Sequence, residues 1–244
     1  GAYKVGRWVL SGNLAVSGGG GKATFNNGLP SFESTVAIVP AVINQMNPLV
    51  QGYQLDGYMQ GSSFIYGAQL GGTYGINDMF SAYGGFRLNI VNNRYKGYIQ
   101  DIKLGFNGGM GPAMDIINSK PALSDFGALV SAKELDCKQT GWGISPIIGA
   151  HFSYKNLNVG AKFEFKTKLN VENNMKVNTT GLAEFDDGVN TPHDIPALFT
   201  IGASYRIIPR LTVSAGYHHF FDSNAKMASD KQKFINGGTN EYLG

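Results

Sequence analysis

From Asn158 to Val171 the chain sets Lys162, Glu164, Lys166 and Lys168 at every second position, with Val159, Ala161, Phe163, Phe165, Leu169 and Val171 among the residues between them. A repeat of two is the strand period, so this ribbon has one apolar and one charged side. The alternation recurs. In 3–17, Trp8, Leu10, Leu14 and Val16 oppose Arg7, Ser11 and Asn13; in 59–75, Phe64, Tyr66, Ala68, Leu70 and Tyr74 oppose Gln69 and Thr73. In 79–104, Phe80, Ala82, Phe86, Leu88 and Ile90 oppose Ser81, Arg87 and Asn89; in 138–155, Trp142, Ile144, Ile148, Phe152 and Tyr154 oppose Ser145, His151 and Ser153. Segments 197–207 and 210–221 follow the same rule, with Arg206 and His218 on their polar sides. About seven strands are expected, with an eighth starting in "NGGTNEYLG".

The connections between these segments alternate in length. Short turns fall at 75–78, 155–157 and 208–210, and long excursions at 18–58, 105–137, 177–196 and 222–236. Short turns at one end and long loops at the other describe an antiparallel transmembrane barrel with its apolar sides to lipid and its polar sides to a wet lumen. Tyr74, Phe80, Tyr154 and Tyr205 lie near short turns on the apolar side, where an interfacial aromatic ring would place them. With the faces reversed, each Lys near the bilayer midplane would cost about 2–4 kcal/mol. Arg7, Arg87, Lys162, Glu164, Lys166, Lys168 and Arg206 are therefore expected to face the lumen, and Phe163, Phe165 and Leu169 the lipid. A soluble all-β sandwich is the alternative packing of the same pattern.

Composition agrees with a barrel. Charged residues make up 15% of the 244, against roughly 25% in soluble domains, while the chain holds 34 Gly, 12 Tyr and 15 Phe. No apolar run is long enough for a membrane helix, which leaves spanning by strands open. The formal charge of +3 is scattered, so nucleic acid is not an expected partner. Cys137 is the only cysteine and can form no disulfide within the chain. The opening "GAYKVGRWVL" is strand-like and reads as a processed or truncated end.

The long loops carry the candidate chemistry. "GGGGKA" fails as a phosphate loop, because Val16 stands where the first Gly is needed and Ala23 follows Lys22. Within 31–46, Phe32, Val36, Val39, Val42, Ile43 and Met46 recur at helical spacing; within 112–135, so do Met114, Ile117, Leu123, Phe126, Leu129 and Val130. Two readings are open for these stripes: they pack on each other and cap the barrel, or they form a groove that captures a hydrophobic ligand. Glu184, Asp186, Asp187 and Asp194 read as a solvated acidic loop, without EF-hand spacing. His218 and His219 are strand neighbours on opposite faces and cannot share a metal. No nucleophile elbow, HExxH or CxxC is present. Neither catalysis, metal nor cofactor is expected.

Several stretches resemble the FadL/TodX-type outer-membrane channels for long-chain fatty acids and other hydrophobic compounds. They are "GGGGKATFNNGLPSFES", "GYMQGSSFIYGAQLGGTYGINDMFSAYGGFRL", "RYKGYIQDIKLGF" and "DIPALFTIGASYRIIPRLTVSAGYHHFF". The resemblance implies a fourteen-stranded barrel, of which residues 1–244 would be one incomplete barrel domain lacking the N-terminal plug and the closing strands. It also implies that "SFESTVAIVPAVINQM" and "PALSDFGALVSA" are the external loops of a low-affinity groove. The expected function is passive uptake of hydrophobic small molecules across the bacterial outer membrane, with lipids and an apolar ligand or detergent as partners. A second reading, from a different class, is a barrel scaffold or adaptor whose long loops bind protein.

Overall fold

The computed structural model describes residues 1–46, 50–106, 108–227 and 240–243, and of residues 31, 32, 46, 51, 106 and 240–243 the backbone alone. In chain order the elements are β1 (Ala2–Val5), β2 (Trp8–Phe25), α1 (Pro30–Met46), β3 (Val50–Gly75), β4 (Phe80–Phe106), β5 (Gly109–Pro112), α2 (Ala113–Asn118) and α3 (Gly127–Val130). Then come β6 (Lys133–Tyr154), β7 (Leu157–Glu164), β8 (Asn170–Asn178), β9 (Asn190–Pro192), β10 (Ala197–Ile208), β11 (Leu211–Phe221) and β12 (Asn240–Leu243). One antiparallel sheet runs β1-β2-β3-β4-β6-β7-β10-β11-β12, with β5 on β4, β8 on β6 and β9 on β8. Among the described residues β1 and β12 are its two edges.

The turns follow from local chemistry. Asn77 Oδ1 accepts the N–H groups of Met79 (2.9 Å) and Phe80 (2.8 Å), fixing the β3–β4 turn. Tyr154 pairs with Leu157, so β6 and β7 join through two residues, and Lys155 takes φ +51° as such hairpins require. Gly6 at φ +58° does the same for β1 and β2, splitting the first expected strand into a hairpin. Arg7 consequently sits in a turn, where its guanidinium donates to the Ile76 carbonyl (3.4 Å), and is not on the polar side of a strand.

β4 shows which face is which. From Phe80 to Gln100 its even positions are exposed or half-buried, with Phe86 and Ile90 each at 45%, while Asn89, Val91 and Asn93 are 2% exposed or less; past Asp101, at φ +50°, the faces exchange and Ile102 and Leu104 are buried. The neighbouring strands agree: Leu14, Leu70, Trp142, Ile144 and Ile148 are exposed, and Ser145 is buried. Apolar outside and polar inside inverts the soluble sheet, so the sandwich, which needs the apolar rows packed on one another, does not form.

From Phe80 to Ile90 this exposed row covers about 33 Å of strand, or about 25 Å of height at a barrel's tilt, the height of a transmembrane barrel's apolar band. Trp8 against Tyr74 (4.9 Å) and Phe80 against Phe152 (4.8 Å) mark its lower edge, beside the short turns. Above it the outward row of β4 turns polar at Asn92, Arg94 and Lys96.

Beyond that edge α1, α2, α3 and a 3₁₀ turn at Pro121–Phe126 close over the strand ends. The expected helix in 112–135 is three short pieces, broken at Ser119–Lys120 ahead of Pro121, which cannot continue the helical ladder.

Candidate functional site

The inner face carries stacked polar contacts. Lowest, Arg87 donates to both oxygens of Glu164 (2.7 and 3.2 Å) and to Gln69 Oε1 (2.8 Å), while Gln69 donates to the Tyr83 hydroxyl (3.0 Å) and Lys162 pairs with Glu164. Glu164 is buried and receives two cations, which offset the cost of taking its side chain out of water. Above, Asn89 donates to Ser145 (2.9 Å) and Thr167 (3.3 Å). Then comes an apolar tier of Val91, Leu169 and Val171, and higher still Gln139 donates to Asn173 (2.9 Å).

Thr167 and Leu169 reach this interior because the ribbon leaves the wall. β7 pairs with β6 up to Glu164–Ile147, and β8 resumes at Glu172–Thr140. Between them the alternation inverts after Phe165, as a one-residue slip must make it do. Thr167 and Leu169 are buried inside; Lys168, expected in the lumen, is exposed, and Leu169, expected at lipid, is not. Lys166 pairs with Asp194 (3.3 Å) and donates to the Asn224 carbonyl (2.7 Å). β6 leaves room for the ribbon: a Cβ on Gly141 would lie 2.0 Å from the Asn170 carbonyl oxygen, and one on Gly143 2.5 Å from Thr167 Cγ2. Arg206 is exposed opposite Thr212 near the β10–β11 turn. Of the seven residues assigned to the lumen, Arg87, Glu164 and Lys162 form one cluster.

The two apolar loop stripes meet each other. Val36, Val39 and Ile43 of α1 are buried in one core with Ile117, Leu123 and Val130, on a floor of Val50, Ile99, Ile102 and Leu104; Phe126 and Leu129 pack on its side. The groove expected between them is therefore filled by the chain itself, since each stripe finds in the other the apolar surface it needs. Val42 is half-buried and Met114 exposed, and the side chains of Phe32 and Met46 lie outside the described residues.

An open cavity of about 330 Å³ lies beside this core. Leu29 just before α1 and Glu33 in its first turn, Tyr58 and Tyr98 from β3 and β4, Leu135 from β6, and Leu182 and Phe185 from the loop after β8 line it. Tyr58 and Tyr98 stack with centroids 5.7 Å apart. Glu33, which accepts from the Tyr53 hydroxyl (3.1 Å), is balanced by Lys133 on the same lining. Sequence periodicity missed this site, because its walls come from five separate segments; the one signal was Leu182 and Phe185 in an otherwise polar loop. The carboxylates of that loop hold it in place: Asp187 accepts from the Met175 N–H (2.8 Å) and Asp186 from the Asn178 amide (3.0 Å).

No family model matches the chain, and no curated protein does. Among solved structures, it is similar to the crystal structure of the P. putida toluene transporter TodX, with a TM-score of 0.52 at 12% identity. The match covers 93% of this chain and 54% of TodX, so the chain spans about half that protein's length. At this identity the likeness is one of fold alone: an antiparallel sheet of the β-barrel type, with few helices, placed in its long loops.

Proposed function

We propose that this chain is wall and mouth of an outer-membrane channel through which small hydrophobic compounds pass without an energy source. The observation that carries the reading is the inverted sheet: an exposed apolar band about as tall as a bilayer's hydrocarbon, opposite an interior of hydrogen-bonded polar groups. The cavity under α1 is the capture site. Its volume is at the low end for ligand sites, its walls are largely aromatic and aliphatic, and its two charges cancel, which suits a compact uncharged ligand. Long-chain fatty acids are the finer alternative, since their carboxylate would meet Glu33 as well as Lys133.

Uptake by cells expressing the full protein tests this with labelled toluene and labelled oleate. Phe185→Ala is expected to slow toluene entry about tenfold at low concentration, through lost apolar burial, and to leave insertion unchanged. Unchanged toluene entry in that variant would refute the capture site. Equal uptake of both compounds with and without the protein, together with a stoichiometric partner on purification, would turn the reading to the adaptor.

A further inference from the structure

Where the ribbon after β7 turns inward, the wall has a step. Between Thr140 and Ile147, β6 has a ladder partner on its β4 side only, among the described residues. Pro146 marks the lower end: its carbonyl accepts the Phe165 N–H (2.9 Å), so its missing N–H lies on the same, open side. By the same alternation the N–H and C=O groups of Trp142 and Ile144 are directed to that side. Outside the step lies a notch of about 1190 Å³.

The two walls of the notch differ. Leu88, Ile90 and Trp142 belong to the exposed apolar band, and Trp142, 67% exposed, stands at its upper edge. The opposite wall brings Lys166, Lys168 and Lys226 against Glu172 and Asp194. Asp194 is already held by Lys166 and by the backbone N–H groups of Leu169 (3.1 Å) and Lys226 (3.2 Å). Lys168 is exposed and has no ion pair among the described residues. An open strand edge facing hydrocarbon is not tolerated, so the occupant must bring polar atoms to Trp142 and Ile144 and a negative charge to Lys168.

We propose that this notch holds the anionic head group of a surrounding membrane lipid, with its acyl chain lying down the band past Trp142 and Ile90. Oxygens of a phosphate accept from the edge N–H groups and from Lys168, at the height where head groups meet the aromatic belt. The inference rests on the membrane reading above, but not on which compound the channel carries.

The test reconstitutes the full protein into nanodiscs of phosphatidylcholine with a minor share of phosphatidylglycerol, and measures the lipid retained on release by native mass spectrometry. Phosphatidylglycerol is expected to be enriched about fivefold over its share of the disc, near the effect of one lysine at an anionic surface. Lys168→Glu abolishes the enrichment. Lys96→Glu, on the same exposed face above the band, preserves it, and added inorganic phosphate does not displace the lipid. Equal retention of the two lipids, an equal loss in Lys96→Glu, or displacement by phosphate overturns the proposal while leaving the barrel intact. A protein that stays monodisperse without detergent and does not enter the discs refutes both readings.

Discussion

β6 has two neighbours that behave differently. On one side β4 pairs with it from Phe80–Phe152 to Ile99–Lys133 without a shift in register. On the other, β7 stops at Glu164 and β8 resumes at Glu172. Both neighbours carry the same strict alternation in sequence, so the difference is not written in them. It is written in β6, where Pro146 offers no donor on the open side and Gly141 and Gly143 leave the inner face bare. Alternation decides which residues share a face; the partner strand decides whether that face keeps its direction.

The hardest blow to this difference is Gly141→Ala. With a carbonyl oxygen 2.0 Å from the new Cβ, the ribbon must move off β6, at an expected loss of about 3 kcal/mol in detergent unfolding. Wild-type stability would mean that the ribbon does not cross here. Next comes Glu164→Ala, which leaves Arg87 and Lys162 facing each other without their carboxylate. A loss of about 2 kcal/mol is expected, with roughly half recovered by Glu164→Gln, which keeps hydrogen-bond acceptance.

Asp194, in the loop leading into β10, tests the ribbon's outer attachment. Burial would raise its pKa, but the N–H groups of Leu169 and Lys226 and the Lys166 ammonium outweigh it and hold it below the ordinary 3.8. A folded pKa below the unfolded value means that the unfolded chain takes up the proton first. The stabilisation is therefore present above about pH 4 and is lost as pH falls through the folded value. Asp194→Asn should cost about 1 kcal/mol at neutral pH, and a gap from wild type that does not narrow on acidification would contradict this. Smallest is Pro146→Val, which restores a donor on an edge that has no ladder partner among the described residues. It should shift stability by less than about 0.5 kcal/mol, and a larger gain would show that β7 had re-paired.

Much of this was legible in the chain. The faces of β3, of β4 as far as Gln100 and of β6 follow from their alternation, and the loop asymmetry and the aromatics near the turns indicated which end is which. Three things were not. Gly6 looked like any small residue of the apolar row, yet its positive φ ends one strand and starts another, taking Arg7 off the inner face. Lys168 and Leu169 exchange faces because of glycines some 25 residues earlier, a distance no local pattern reads. The stripes of α1 and α3 announced that they would be buried without saying by what; a ligand and a second helix offer the same apolar surface. The cavity lined by Tyr58, Tyr98 and Phe185 is a product of assembly alone.

Trp8 and Trp142 are the chain's two tryptophans, one at each edge of the apolar band. The protein thus carries its own depth gauge. On the membrane reading proposed above, with either indole replaced by Phe the remaining emission would report on a single leaflet, and brominated lipids added to that leaflet should quench it selectively. Trp142 would also dim when a brominated chain settles beside it, so one native fluorophore reads both the barrel's vertical position and the occupancy of its flank.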